Sequence, residues 1–456
     1  MPILENPTGP YAVGAVTFTL PVRPTRVIGS ATVRTETGET VPALRLEEVS
    51  FTAYYPVSPT TIESRWNWLN WFPRPLAETV RGYSHFSGVS TLLLWPLVLF
   101  FGSRLKVPAF VNAPPLQRIK DTRVDPTAPP NRDSSQGPWP LVMFSHGLGG
   151  GRTTYSQLCT HLASSGKVVL ALEHRDGTSP ITWPLSGETG KRYPHFYVKP
   201  GDVIRDNVEE TSGFHDPRFA FRADQLELRK REVYLSYSAF RELVQTGERG
   251  DLQTMDELPF NWASWAGDWV RCDKGVSLVG HSFGGATVFA MLSLKEGDIL
   301  RIPVSHGLVL DPWLDPILPP GPAPDTIQNP SPKLMVINAE GFTLWTEHFK
   351  RVEEVVSAWP ESALLTIIRG QHNSFSDLPV MPPIPIRKST ARPIMNVIKT
   401  LTLSFLDDQL PSSVNRLNVR KLEIEYPKSR PWSKNPKRRL VGNAGDIIIH
   451  RFGVVE

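Results

Sequence analysis

The sequence predicts an α/β fold, with a mostly parallel central sheet flanked by helices. Three observations predict it. From Leu141 onward, apolar strand-like runs and helical stretches broadly alternate. Residues 141–144, 154–165 and 167–173 read as strand, amphipathic helix and strand, a span so short that it implies a right-handed parallel crossover. Residues 276–279 read as a buried strand, 280–285 as a glycine-rich turn and 286–294 as an apolar helix.

Taken in order, the chain opens with strand-like alternation at 16–20 and 44–55, on either side of the polar turn Thr37-Gly38-Glu39. This suggests an antiparallel start to the sheet. Residues 56–88 carry Trp66, Trp68 and Trp71 among prolines and read as a loop with short helices. Residues 89–102 are the most apolar stretch, and no Asp, Glu, Lys or Arg occurs from Gly82 to Ser103. The run is short for a membrane span and Pro96 interrupts it. Three readings stay open: a buried element, an interfacial element dipping into lipid, and a span. Arg104 and Lys106 just beyond suit either lipid reading. Residues 113–138, rich in Pro, Asp and Ser, read as an exposed loop. Residues 177–217 lack periodicity, and so long a connection in an α/β enzyme is usually a lid or pocket wall. A long charged helix follows at 221–244, with Leu226, Tyr234, Tyr237 and Phe240 toward the core. Strands are expected at 307–310, 334–339 and 364–368, and a closing helix at 390–406. The predicted organisation is a catalytic domain over 1–410 and a basic, proline-broken extension over 411–456.

Composition narrows the classes. The 456 residues are 40% hydrophobic and 21% charged, enough for a sizeable core and too apolar for wholesale disorder. Two cysteines, Cys159 and Cys272, make no disulfide framework and suggest a reducing compartment. The N-terminal stretch lacks the basic and apolar regions of a secretory signal, and Pro2 excludes myristoylation, so a cytoplasmic protein is expected. The net charge of +4 is concentrated near the end, where ten Lys or Arg between Arg416 and Arg451 face Glu423, Glu425 and Asp446. The rest is slightly acidic, so nucleic acid is not an expected partner. The tail alone could meet an anionic surface.

The chemistry centres on Gly280-His281-Ser282-Phe283-Gly284. Strand, tight turn and helix around Gly-x-Ser-x-Gly form a nucleophile elbow, with the serine hydroxyl exposed on a strained turn. The alternative is an ordinary strand-to-helix turn with a solvated serine. A serine needs a base, usually a histidine oriented by a buried carboxylate. On such a sheet the acid and then the histidine follow at the ends of later strands. Asp311 and His372 occupy those positions, with Asp315 and Glu340 as rival acids. His281 adjoins the nucleophile and points away from it, while His306 and His348 fall in a strand and a helix. Two backbone N–H groups should receive the oxyanion: Phe283, after the nucleophile, and Leu148, in the loop His146-Gly147-Leu148-Gly149, with Gly149 as its alternate. A phosphate cradle is the weaker reading of that loop, since no Gly-x-Gly-x-x-Gly or Walker lysine follows. His174-Arg175-Asp176 looks like a kinase catalytic loop but lacks its Asn. No zinc spacing is present, and the mechanism requires neither metal nor cofactor.

Several stretches together resemble one family. LVMFSHGLGGGRTTYSQLCTHLASSGKVVLALEHRDGTSP, GHSFGGATVF, LVLDPW and IIRGQHNSFSDL are similar to segments of platelet-activating factor acetylhydrolases of the plasma or type II intracellular class, as is Asn6-Pro7-Thr8-Gly9-Pro10 through Gly14. The likeness spans roughly residues 6–380. It implies the α/β-hydrolase fold with lid-like insertions and calcium-independent hydrolysis of short or oxidised sn-2 acyl esters of glycerophospholipids. It also implies a triad of Ser282, Asp311 and His372 and an oxyanion hole at Leu148 and Phe283. Family members bind lipid surfaces through an apolar helix, a role that 89–102 fits by character rather than by motif. Against the family pattern, one residue is missing between Gly370 and His372, and 56–88, 177–217 and the tail look unfamiliar. These inserts bear on acyl-chain and headgroup preference. A general carboxylesterase or polyester hydrolase would use the same triad, and a non-catalytic lipid-binding protein would keep the fold alone.

Overall fold

In the computed structural model the described residues are 4–35, 38–58, 67–118, 137–205, 213–214, 216–255, 259–294, 300–324, 331–381, 390–426 and 438–453. Trp66, most of the 113–138 loop, part of the 177–217 insert and residues 427–437 of the tail lie outside them. The chain divides into two compact units, Met1–Ser277 with Ile299–Pro303, and Leu278–Asp298 with Val304–Glu456.

The first unit begins as the alternation predicts. Strands β1 (Ala12–Val27) and β2 (Arg45–Val57) pair antiparallel, with Ala12 opposite Val57 and Val27 opposite Arg45. β2 is buried along almost its whole length, which is why its apolar residues run on without strict alternation. β3 (Trp68–Asn70) is followed by helix α1 (Leu76–Ser87), which ends at Gly88 with φ 72°. Helix α2 (Thr91–Leu97) starts at Ser90, whose side chain accepts the Leu92 N–H, and widens past Pro96 into a π-turn at Val98–Gly102. This apolar element is not buried. Leu92, Leu93 and Phe100 are 82%, 72% and 71% exposed, because only positions such as Val98 face the fold. Among the described residues no helix is long and apolar enough to cross a membrane.

β4 (Lys106–Val111), β5 (Trp139–Ser145), helix α3 (Ser156–Ser164) and β6 (Val168–Leu172) follow. β5 and β6 pair in parallel across α3, the crossover expected from their spacing. The strand order of this unit is β5-β6-β2-β1-β4-β3. The described part of the 177–217 insert forms a two-stranded pairing, Ile181–Thr182 with His195–Phe196, and Arg192 ties it to Glu48 at 2.9 Å. Helix α4 (Pro217–Thr246) has Asp216 as its side-chain cap, Pro217 in its first turn and Gly247 at its end. Leu226, Tyr237 and Phe240 are buried as expected and Tyr234 is half-buried. The same helix also buries Arg222, Gln225, Arg229 and Glu232, which a solvated charged face would not do.

β7 (Val276–His281) carries the chain into the second unit, where α5 (Phe283–Leu292) leads to β8 (Val304–Leu310) and β9 (Lys333–Ala339). Helices α6 (Glu340–Thr343) and α7 (Thr346–Ser357) lead to β10 (Ser362–Ile367), and α8 (Ala391–Leu406) closes this part. β8, β9 and β10 are parallel neighbours. The tail then returns: β11 (Val419–Arg420) pairs with β12 (Ile447–Gly453), and β12 runs antiparallel to β10 from Ser362↔Gly453 to Ile367↔Ile447. Residues 447–453 of the basic extension are therefore part of this sheet.

Phe240, fully buried and edge-on to Phe51 and Trp265 at 6.3 and 6.0 Å, should be costly to truncate. Urea unfolding should place Phe240→Ala about 3–5 kcal/mol below wild type. The exposed Leu93→Ser should stay within about 0.5 kcal/mol.

Candidate active site

β7 ends at His281 and α5 begins at Phe283, which leaves Ser282 to make the whole turn at φ 56° and ψ −117°. A non-glycine residue rarely adopts positive φ, so the surroundings must impose it. Two missing side chains allow this. A Cβ on Gly280 would lie 2.2 Å from the Gly284 carbonyl oxygen, and one on Gly285 would lie 2.7 Å from Val309 Cγ1. The Ser282 N–H donates to Leu310 O at 2.9 Å and its carbonyl accepts the Trp313 N–H at 3.2 Å. Ser282 is thereby tied to both sides of Asp311. Ser282 is 7% exposed, more enclosed than the sequence suggests. Among the described residues its hydroxyl makes no hydrogen bond, and catalytic bonds of this kind often tighten only with substrate in place.

Asp311 follows β8 at φ 44° and is fully buried. Its Oδ1 accepts the Ala339 N–H at 2.5 Å and its Oδ2 bonds His372 Nδ1 at 3.0 Å. Burial pushes the carboxyl above its ordinary range, while His372 and the Ala339 N–H pull it back. His372 opens a short 3₁₀ turn, His372–Phe375, fixed by a reciprocal cap between Gln371 and Ser374. The structure thus joins the expected acid and base directly.

The rivals are committed elsewhere. Glu340 accepts the N–H groups of Arg369 and Leu440 and pairs with the Arg369 guanidinium. Asp315 accepts from Trp313 Nε1 at 2.9 Å. His306 bonds Asp408, and His348 Nε2 accepts the Leu314 N–H. Burial lowers His348 to about 4. His281 is buried, packs its ring against His372 and bonds the His372 backbone; burial drives it well below its ordinary value.

In the first unit the glycine-rich loop after β5 is held through its backbone N–H groups. Gly147 N–H donates to Tyr155 Oη, Gly149 to Thr178 O, Gly150 to Gly147 O and Gly151 to Thr154 Oγ1. Among the described residues the Leu148 N–H donates to nothing. A buried polar network that sequence reasoning missed supports this loop. Arg229 donates to His146 O, Asp176 Oδ2 and Thr178 Oγ1 at 2.7, 2.7 and 2.6 Å. His174 bonds Ser145 Oγ at 2.8 Å through Nε2 and Glu232 at 2.5 Å through Nδ1. Burial lowers His146 to about 3, drives His174 well below its ordinary value and raises Glu232. The kinase-like tripeptide His174-Arg175-Asp176 is therefore scaffold. The signal was the polar stripe at 222, 225, 229 and 232, one helical face of α4.

A mostly parallel sheet with flanking helices and a Gly-x-Ser-x-Gly elbow defines an α/β hydrolase. A ferulic acid esterase from Streptomyces cinnamoneus has the same fold, with a TM-score of 0.51 at 18% identity over 97% of this chain and 99% of that one. The chain belongs to the family described as "Platelet-activating factor acetylhydrolase, isoform II", which matches residues 4–410. It is 30% identical to the platelet-activating factor acetylhydrolase of Canis lupus familiaris over 67% of this chain and 59% of that protein. The corresponding Cavia porcellus protein is equally similar, at 30% over the same shares. A putative phospholipase A2 of Schizosaccharomyces pombe is 27% identical over 60% of this chain and 58% of its own length. The chain thus spans somewhat under two thirds of these relatives.

Asp311→Asn keeps the shape of the acid and removes its charge. Ester hydrolysis under saturating substrate should fall by about 10⁴-fold, with thermal unfolding little changed.

Proposed function

We propose that this protein is a serine esterase that hydrolyses the sn-2 acetyl or short, oxidised acyl ester of glycerophospholipids. Ser282 attacks the ester carbonyl, and His372, oriented by Asp311, takes the serine proton and returns it to the leaving alcohol. Water, activated by the same histidine, then cleaves the acyl-enzyme. The observation that carries the reading is the 3.0 Å bond from His372 Nδ1 to a fully buried Asp311, in a chain of this family. The oxyanion donors are Phe283, first residue of α5, and Leu148. Among the described residues the Leu148 N–H has no acceptor within an otherwise bonded loop, which supports its assignment.

The substrate reading rests on the family and its named relatives. A general carboxylesterase would share the chemistry, so headgroup dependence separates the two. Contact with a lipid surface is assigned to α2 and its π-turn, supported by the outward Leu92, Leu93 and Phe100. The basic tail would add attraction to anionic lipid.

Two measurements test this. Ser282→Ala should lose several orders of magnitude on both a short-chain sn-2 acetyl phosphatidylcholine and a water-soluble acetate ester, with chelator present. Wild type should strongly prefer the phospholipid; equal rates would favour the general esterase, and no turnover of either would favour a binding protein. Replacing Leu92 and Leu93 together with Ser should reduce cosedimentation with phosphatidylcholine vesicles roughly tenfold or more while leaving the soluble ester rate unchanged.

A further inference from the structure

The base has a mechanical difficulty. The His372 side chain is 43% exposed and stands on a four-residue turn. Among the described residues its one polar anchor on the ring is the bond from Nδ1 to Asp311. A single hydrogen bond leaves the imidazole free to swing about its Cβ–Cγ axis. Such a swing would break that bond and carry Nε2 away from the position a general base must hold.

Two rings restrain it. Phe342, on α6, lies flat on His372, with ring centroids 4.6 Å apart and planes within 4° of parallel. His281 packs against it at 4.5 Å and 39°. Each ring is itself held. Phe342 meets Trp345 edge-on at 5.9 Å and His348 at 5.5 Å, and Trp345 stacks on His348 at 4.5 Å. His281 packs on the buried Phe375 at 5.3 Å. Neighbouring charges fit this arrangement. His281 and His348 are kept neutral by burial, so neither opposes a positive charge arising on His372. The face of Phe342 is a favourable surface for a cation.

We propose that Phe342 is a positioning residue for the general base: its ring fixes the plane of the His372 imidazole, keeps Nδ1 on Asp311, and stabilises the imidazolium formed when the Ser282 proton moves to Nε2. His281 supplies the second restraint. The proposal rests on His372 being the base for Ser282. A phenyl face is required at 342 and a hydroxyl on it is not, so tyrosine should serve and an aliphatic residue should not.

The experiment uses the full chain as wild type, Phe342→Leu, Phe342→Met, Phe342→Tyr and Ser282→Ala. Phe342→Leu should lower kcat roughly tenfold on both the phospholipid and the water-soluble acetate ester, with KM within about twofold, because the missing interaction acts on the base and not on the substrate. Phe342→Tyr should restore most of the rate. The low-field proton resonance of the His372 Nδ1–H, seen in wild type and Phe342→Tyr, should broaden or vanish in Phe342→Leu. Phe342→Met repeats the test should the leucine variant misfold. An unchanged kcat in a folded aliphatic variant overturns the proposal. So does a loss confined to the phospholipid with a raised KM, which would make the ring a substrate contact. If Ser282→Ala retains the wild-type rate, the serine-esterase reading has failed instead.

Discussion

Ser282 can hold its left-handed backbone because nothing occupies the Cβ positions of Gly280 and Gly285. Much of the second unit depends on that constraint. With the turn so tight, α5 packs closely enough that Gly285 approaches Val309 and Pro312, on either side of the acid. The backbone bonds from Ser282 to Leu310 and from Trp313 back to Ser282 then fix the start of the loop that carries Asp311. A methyl group at either glycine would push apart the two segments that carry Ser282 and Asp311, the proposed nucleophile and acid. The strain at Ser282 persists because the packing around it leaves no relaxed alternative.

Parallel register does the rest. Leu310 lies opposite Ile337 and Ala339 opposite Ile367, so β8, β9 and β10 end close together. The Ala339 N–H at the end of β9 is therefore free to bond Asp311 Oδ1, and the turn after β10 presents His372 to Oδ2. A buried carboxylate is expensive unless its lone pairs are met. Here one oxygen is met by backbone and the other by the group it orients, which keeps it an acceptor in a dry site.

These features were legible because they follow from chain order. The elbow has a fixed spacing, and Asp311 and His372 stand where strands of such a sheet end. The sequence also offered Asp315 and Glu340; chain order favours Asp311, which ends the strand after the elbow helix, and the tertiary bonding of Glu340 to Arg369 and of Asp315 to Trp313 engages the rivals elsewhere. The placement of α2 stayed open between a buried element, an interfacial one and a span, because an apolar run has the same composition whether it faces a core or a lipid. The buried charges of α4 went unread for a related reason. Periodicity marks a stripe at Arg222, Gln225, Arg229 and Glu232, but it does not say which side the core is on. The tail's last strand was hidden too, since its seven residues follow a basic, proline-rich stretch that reads as an extension.

The buried network explains why such charges are worth enclosing. Loops rich in glycine gain reach and lose rigidity, and each backbone group that turns inward must find a partner. Arg229 offers a rigid fork of donors, and it joins His146 O, Asp176 and Thr178 at once. Thr178 O in turn takes the Gly149 N–H. A lysine or an apolar side chain at 229 could not make those three bonds together. The consequence is a loop in which the N–H groups of Gly147, Gly149, Gly150 and Gly151 are all engaged. Leu148 is the exception among them. Among the described residues that leaves one donor of the loop unengaged, which supports the proposal that Leu148 receives the oxyanion. Being unengaged is the property an oxyanion donor needs, because a group already bonded in the resting enzyme would have to give up that bond as the charge develops.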